Sequence, residues 1–395
     1  MICKLIGIGA AGNKAAICAV ENNIIEIENT MLINSTLKDI PQQYQSKENA
    51  NCKKLLNAYG GCGKERQLSY QLCEDSIKAD TLKLGEFLKV DTDEEAELCI
   101  IVASTEGGTG SGSVPLLARY IRDVYGISVH VFGIAGFEED VRGMRNTVDF
   151  FKEMQENFTV ECIKNAKYLP MCNGNKIKAE KEANRDFCKK ISVLMGLQIR
   201  DSEHNIDPTD LLKLSTEEGY MIIETYIFDG RIKNAEQFKS AVIDMVDASK
   251  ALDIDDPSQT KLGVIINIRE ENTDYIDYYS TLIERFGTPY EKFEHIQHET
   301  TMPEFISFIA AGMKMPVEEV ESTYEHYKES VERVNKSSDS FFSTIQEKEI
   351  DPTDNKFDLK AKKKATVSKD DFFKKGFSNT KTKVRMTQVD NTEEY

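Results

Sequence analysis

Two short glycine clusters, each set between an apolar run and an amphipathic segment, constrain this chain more than any other feature. Gly7-Ile8-Gly9-Ala10-Ala11-Gly12 follows the strand-like run Ile2–Ile8 and precedes a helical pattern from Asn13 to Glu21. Glu106-Gly107-Gly108-Thr109-Gly110-Ser111-Gly112 follows the run Leu98–Ala103 and leads into a helical pattern from Val114 to Tyr125. Glycines let backbone amides approach an anion, and a helix N-terminus favours the negative charge of a phosphate there. Two strand, loop and helix units of this kind point to an α/β fold with a mostly parallel sheet covered on both faces. In the second cluster, four glycines in six residues give the backbone freedom to curl around phosphate oxygens, and the Thr109 and Ser111 hydroxyls add donors.

The first cluster satisfies the G-x-G-x-x-G pattern of dinucleotide-binding folds, which also expects a carboxylate about 20 residues further on to hold a ribose. The strand-like run Thr30–Ile33 continues instead as Asn34-Ser35-Thr36, with no acid at its tip. A Rossmann oxidoreductase is therefore a distant alternative. Asn13, directly after the third glycine, adds a polar group to the same pocket.

Further along, Ser128–Ile134 reads as a strand. Ala183–Gln198 reads as a long helix with Phe187, Ile191, Leu194, Met195 and Leu197 as its apolar positions, suited to a central connecting role. Beyond it, Tyr220–Phe228, Leu262–Ile268 and Phe305–Ala310 resemble strands, while Ala235–Ala251 and Tyr275–Phe286 resemble helices. These make a second, smaller α/β unit. Pro316 opens a charged C-terminal helix that runs from Val317 to about Lys336 and ends in the Ser-rich stretch Ser337–Ser343.

Composition narrows the function. The net charge is −17, but it is unevenly spread: Lys356 to Tyr395 holds 11 basic and 6 acidic residues, so this tail carries +5 and the preceding 355 residues −22. Whole-surface nucleic-acid binding is disfavoured by such an acidic body. No run reaches the roughly 20 apolar residues of a membrane span, and no signal pattern opens the chain, so a cytoplasmic protein without membrane attachment is expected. The 9 cysteines show no C-x-x-C pairing, which fits reduced thiols better than a disulfide framework or a zinc site. Of the five histidines, only His295 and His298 are spaced as metal ligands could be, a pair that reads better as part of a solvated face, and His204 reads as a capping or surface residue.

Gly-Gly-Thr-Gly-Ser-Gly after a strand resembles the signature of the tubulin and FtsZ superfamily of self-assembling GTPases, and Gly7 to Asn13 resembles its first phosphate loop. The resemblance covers about residues 1–230 by motif order. It implies a parallel-sheet GTP-binding domain at 1–182, a central helix at 183–204, a synergy loop and activation α/β domain at 205–315, a C-terminal helix at 316–345 and a flexible basic tail at 346–395. GTP or GDP is then the ligand, with Mg2+ implied by the triphosphate and no protein ligand named for it.

By the same resemblance, Gly9, Ala10, Ala11, Gly12 and Asn13, together with Gly107, Gly108, Thr109, Gly110, Ser111 and Gly112, would hold phosphates. Gly63 and Lys64, in Gly60-Gly61-Cys62-Gly63-Lys64, stand where the family senses the terminal phosphate; a plain turn is the alternative. Phe137-Glu138-Glu139-Asp140-Val141-Arg142 resembles the ribose loop, with Glu138 or Glu139 accepting from sugar hydroxyls and Arg142 touching the nucleotide. Asn173 resembles the loop asparagine that reads guanine, and Asn184 and Phe187 are expected either to bond and stack on the base or to serve the helix itself.

Asn205-Ile206-Asp207-Pro208-Thr209-Asp210 resembles the family's synergy loop, which in a filament enters the next subunit's nucleotide pocket. Asp207 and Asp210 are expected to hold the attacking water, with Asn205 as a helper, and the same residues also make a good helix N-cap. The tail interleaves Lys360-Ala361-Lys362-Lys363-Lys364 with Phe372, Phe373 and Phe377, which suits partner docking, although a lysine run also serves as a merely solvated face. It is more similar to the tail of the plasmid and phage TubZ group than to those of tubulins or FtsZ. That likeness implies head-to-tail self-assembly and a TubR-like DNA-binding adaptor on residues 356–395, with DNA as indirect cargo. A filament for cell division or for positioning phage DNA is the alternative.

Overall fold

The computed structural model describes residues 1–45, 51–155, 158–200, 202, 205–249, 254 and 257–346. The first half alternates strands β1 (Cys3–Ile8), β2 (Thr30–Asn34), β3 (Cys52–Lys54), β4 (Leu98–Ser104), β5 (Ser128–Ala135) and β6 (Thr159–Lys164) with helices. These are α1 (Gly9–Glu21), α2 (Arg66–Lys78), α3 (Leu84–Leu88), α4 (Gly108–Tyr125) and α5 (Val141–Met154). The connecting helix α6 (Lys176–Leu194) and the short α7 (Pro208–Ser215) follow. Then come β7 (Gly219–Ile227), α8 (Ala235–Ala248), β8 (Lys261–Asn267), α9 (Tyr279–Phe286), β9 (Glu291–Gln297), β10 (Phe305–Met313) and α10 (Val317–Gln346).

All ten strands form one sheet in the order β3-β2-β1-β4-β5-β6-β7-β10-β8-β9. From β3 to β7 the neighbours are parallel, and β10 lies antiparallel between β7 and β8. Within the sheet, the smaller α/β half continues the larger through two registered pairs between β6 and β7, Thr159 with Gly219 and Val160 with Tyr220. Apolar runs read as continuous because both faces are covered. In β4, Cys99, Ile101 and Ala103 face α2, α4 and α5, while Leu98, Ile100 and Val102 face α1 and α6. Helix α10 leaves β10 and returns to α5, where Tyr324 packs on Met144 and Val148 and Lys152 pairs with Glu321 at 2.6 Å.

Several boundaries differ from the periodicity reading. Helix α6 starts at Lys176, seven residues before Ala183, because Asn175 caps it by accepting from the Lys178 amide at 3.1 Å. Its first turns bury only the small Ala179 and Ala183, which leave a weak apolar signal. Helix α10 continues through the Ser-rich stretch to Gln346, since that stretch contains no glycine or proline to stop it. Strand β9 was not expected: its charged Glu291-Lys292 start suits the sheet edge it occupies. The expected basic tail beyond Gln346, and His204, lie outside the described residues. Among the described residues no helix is long and apolar enough to cross a membrane.

Candidate nucleotide-binding site

The two glycine clusters meet at the C-terminal edge of the sheet. Gly9 takes a left-handed φ of 73°, which turns β1 directly into α1. A side chain at Gly9 would stand 3.3 Å from the Gly110 amide nitrogen, so the N-termini of α1 and α4 lie against each other. Neither helix start has a side-chain cap. Two sets of first-turn amides, those around Gly9, Ala10 and Ala11 and those around Gly108, Thr109 and Gly110, thus face one place with their dipoles adding. Asn13 is fully buried there; its Nδ2 donates to the Ile33 carbonyl at 3.1 Å and its Oδ1 is a buried acceptor with no protein partner. A cradle of converging, uncapped helix N-termini fits a polyphosphate ligand.

The glycines of the second cluster were expected to curl freely around an anion, and most of them are instead part of a helix. Helix α4 already begins at Gly108, so Gly108, Gly110 and Gly112 are helical. A Cβ on Gly112 would stand 2.3 Å from the Arg66 carbonyl oxygen, and one on Gly110 would stand 2.9 Å from the Ala103 Cβ. On Gly12 it would stand 2.1 Å from the Val102 oxygen. These positions let helices lie close on β4 and on the start of α2, while Gly107 remains the unencumbered residue at the cap. The Ser111 hydroxyl donates back to the Gly107 carbonyl. Thr109 Oγ1 shares a hydrogen bond with the fully buried Ser35 hydroxyl at 3.1 Å, and Ser69 donates to the Thr109 carbonyl at 2.7 Å.

The third loop lies over this helix start. Gly63 and Lys64 have φ of 54° and 65°, and Lys64 Nζ pairs with Asp140, whose other oxygen caps α5 through the Gly143 amide at 2.7 Å. Glu106 accepts from the Gly136 amide at 2.9 Å; burial raises its carboxyl above the usual range, opposed by that bond and by Lys64. Asn146 on α5 donates to the carbonyls of both Lys64 and Glu106. Ser35, Glu106, Asp140 and Asn146 were not singled out as functional from the sequence, because each acts through a loop distant in the chain.

Of the residues expected to serve the sugar, Glu138 (φ 58°) pairs with Lys164 at 2.5 Å, Glu139 with Lys176, and Arg142 with Glu65. Asn173 is exposed in the turn before α6, and Asn184 is half-buried on α6. Phe187 is fully buried with its ring edge-on to Phe132, centroids 5.1 Å apart. It belongs to the core between α6 and the sheet, which corrects its expected stacking on a base and leaves the helix-core alternative.

Asp207 and Asp210 lie elsewhere. Asp207 caps α7 by accepting from the Asp210 amide at 2.8 Å, Asp210 accepts from the Asp207 amide at 3.4 Å, and Lys213 pairs with Asp210 at 3.3 Å. Asn205 accepts from the Ser202 amide. The end of α7 sits at the N-terminal edge of the sheet: His130, the third residue of β5, donates from Nδ1 to the Ser215 carbonyl at 3.1 Å. Burial pushes His130 down to about 4, so the ring is neutral at pH 7. Thr159, the first residue of β6, donates to the neighbouring Glu217 carbonyl at 2.7 Å. Helix α6, 19 residues and therefore about 28 Å long, connects the base-side turn to this opposite edge.

Residues 2–173, which hold every phosphate-side element above, match the family model described as Tubulin/FtsZ family, GTPase domain. Over those residues, a little under half of the chain, the sequence is similar to that family. Cell division protein FtsZ 1 of Methanocaldococcus jannaschii is 23% identical over 266 residues, 67% of this chain and 68% of that protein. Tubulin-like protein TubZ of Clostridium botulinum C phage is 24% identical over 192 residues, 48% of this chain and 50% of that protein, so this match spans about half of the relative's length. Among solved structures, the GTPγS-bound protofilament of CetZ2 from Haloferax volcanii superposes with a TM-score of 0.67 at 18% identity. It covers 85% of this chain and 100% of that one, and it shows the shared fold. No group of three or more His, Cys, Asp or Glu suited to a metal occurs among the described residues.

Proposed function

We propose that the chain is a self-assembling GTPase that forms head-to-tail filaments and hydrolyses GTP at the contact between subunits. One observation carries this: the converging helix N-termini lie at one edge of the sheet, and the Asp207–Asp210 loop is attached at the opposite edge of the same chain. A subunit stacked head to tail brings the loop of one copy over the cradle of the next. Such a contact is heterologous and extends without closing. The CetZ2 relative is described as a protofilament, in keeping with this geometry.

In this reading the amides of residues 9–13 and 107–110 bind the phosphates, and Lys64 leaves Asp140 for the terminal phosphate. Glu138 and Arg142 serve the sugar, and Asn173 and Asn184 the base. Asp207 and Asp210 of the neighbouring copy orient water for in-line attack, which is mainly a matter of positioning and electrostatics. Magnesium bound to the triphosphate oxygens would neutralise part of their charge. The likeness to phage TubZ extends the reading to partition of plasmid or phage DNA in the cytoplasm, through a DNA-binding adaptor held by residues 356–395.

Complementation tests it. Gly107→Asp places a carboxylate at the phosphate cap without a packing clash, its Cβ being 3.7 Å from Ser104. Asp210→Ala removes a loop acid and spares the cradle. Each variant alone should release little phosphate from GTP, and a mixture should recover turnover. A mixture no more active than its parts would overturn hydrolysis between subunits. Deleting residues 356–395 should leave assembly intact and abolish co-sedimentation of adaptor-bound DNA.

A further inference from the structure

The geometry points to Asn146 as the positioning residue that sets the preference of this site for a nucleoside triphosphate over a diphosphate, an inference that rests on the GTPase reading. Asn146 lies in the second turn of α5 and is 6% exposed. Its Nδ2 donates to the Lys64 carbonyl at 3.1 Å and to the Glu106 carbonyl at 3.0 Å. A carboxamide nitrogen has two hydrogens in one plane, one for each acceptor. The two acceptors belong to different loops, and neither residue is part of a strand. Asn146 is thus a clamp across 42 residues of chain between the loop carrying Lys64 and the residue just before the Gly107 cap.

The clamp has something to hold. Lys64 sits in the left-handed region, a conformation an L side chain adopts at a cost of about 1 kcal/mol. Its Cα would be 2.9 Å from a Cβ on Gly108, so the loop rests directly on the first turn of α4. The Lys64 ammonium is meanwhile held by Asp140, the cap of the same helix α5. Helix α5 therefore grips the loop twice, through its backbone at Asn146 and through its side chain at Asp140. A terminal phosphate arriving at the α4 N-terminus competes with Asp140 for the Lys64 ammonium. Asn146 keeps the backbone of Lys64 in place while that exchange occurs. The diphosphate lacks the group that reaches Lys64, so its binding depends on the α1 and α4 amides and little on the clamp.

Titrations with fluorescent GTPγS and GDP analogues at protein concentrations below assembly test this in the full chain. Asn146→Ala removes both donors. Asn146→Asp has the same size but presents only acceptors to two carbonyl oxygens. Each should weaken GTPγS analogue binding about tenfold, the scale of unmet hydrogen bonds at a buried site, and leave the GDP analogue within about twofold. Far-UV circular dichroism and melting confirm that the variant read is folded, and the isosteric Asp variant serves if the Ala variant is not. Equal loss for both nucleotides would reveal a merely structural role and overturn the inference, as would an unchanged ratio. A wild-type chain that binds neither analogue would instead overturn the GTPase reading itself.

Discussion

Asp207 and Asp210 cap each other: the Asp207 carboxylate accepts from the Asp210 amide at 2.8 Å, and the Asp210 carboxylate accepts from the Asp207 amide at 3.4 Å. The pair expected to hold water is therefore also the start of α7, and the two roles respond differently to substitution. Asp210→Asn keeps an acceptor oxygen for the Asp207 amide, so its melting temperature should stay near wild type while GTP turnover falls at least about tenfold. Asp207→Ala also removes the cap and should cost about 1 kcal/mol of stability. Thermal melts read beside phosphate release separate the effects; full turnover in Asp210→Asn would reduce the pair to a cap.

Lys190 and Glu161 form a buried ion pair at 2.6 Å between α6 and β6, with Asp186 and Glu224 at 3.7 and 3.6 Å from the same ammonium. Lys167 and Tyr168 line the same side. Burial pushes the Glu161 carboxyl up from 4.5 to about 7, with Lys190 opposing. A raised carboxyl adds stability that is complete below pH 4.5 and lost as pH climbs through 7. Lys190→Met leaves three carboxylates facing an uncharged group and should cost about 3–5 kcal/mol at pH 8. That deficit should shrink towards pH 5, where Glu161 takes up a proton, and urea melts across this range will show whether the slope has that sign.

The thiols of Cys18 on α1 and Cys188 on α6 are 3.6 Å apart. The Cys188 thiol, donating to Cys18, holds Cys18 down at about 7 against the pull of burial, while Cys188 is raised. Cys3, Cys73, Cys99 and Cys162 are buried and shifted upward. At pH 7.5 a limiting maleimide should therefore label Cys18 ahead of these four, and peptide mass spectrometry will locate the adduct. Cys188→Ala should slow Cys18 labelling by removing the hydrogen bond that favours its thiolate.

Glycines that look alike in the second cluster should differ sharply in tolerance. Gly112→Ala drives a methyl to 2.3 Å from backbone oxygen of Arg66 and should destabilise by about 1–3 kcal/mol or more. Gly107→Ala meets only Ser104 at 3.7 Å and should fall within about 0.5 kcal/mol of wild type. Denaturant midpoints of the two variants provide the comparison.

The parallel sheet and both glycine-marked helix starts were legible because they depend on neighbours in sequence: an apolar run, a glycine that can turn, and an amphipathic helix. Asn175, which caps α6 and moves its start to Lys176, carried a local signal that the weak apolar pattern of Ala179 and Ala183 concealed. The resemblance offered Phe187 to a base while its helical spacing with Ile191 offered it to a core, and spacing does not tell which neighbour an apolar face meets. The structure gives that face to Phe132.

By itself the sequence determined where the apolar strands β1, β2, β4, β5, β7, β8 and β10 lie, where the chain turns on glycine into helix, and where it places two acids before α7. Only the tertiary structure decided that Gly9 meets Gly110, that Asn146 joins the loops of Lys64 and Glu106, and that the α7 acids are attached at the opposite edge from the cradle. The division has a physical reason. Backbone conformation follows from residues a few positions apart, whereas a convergent site is made by strand order and helix packing, which bring together groups dozens of residues apart.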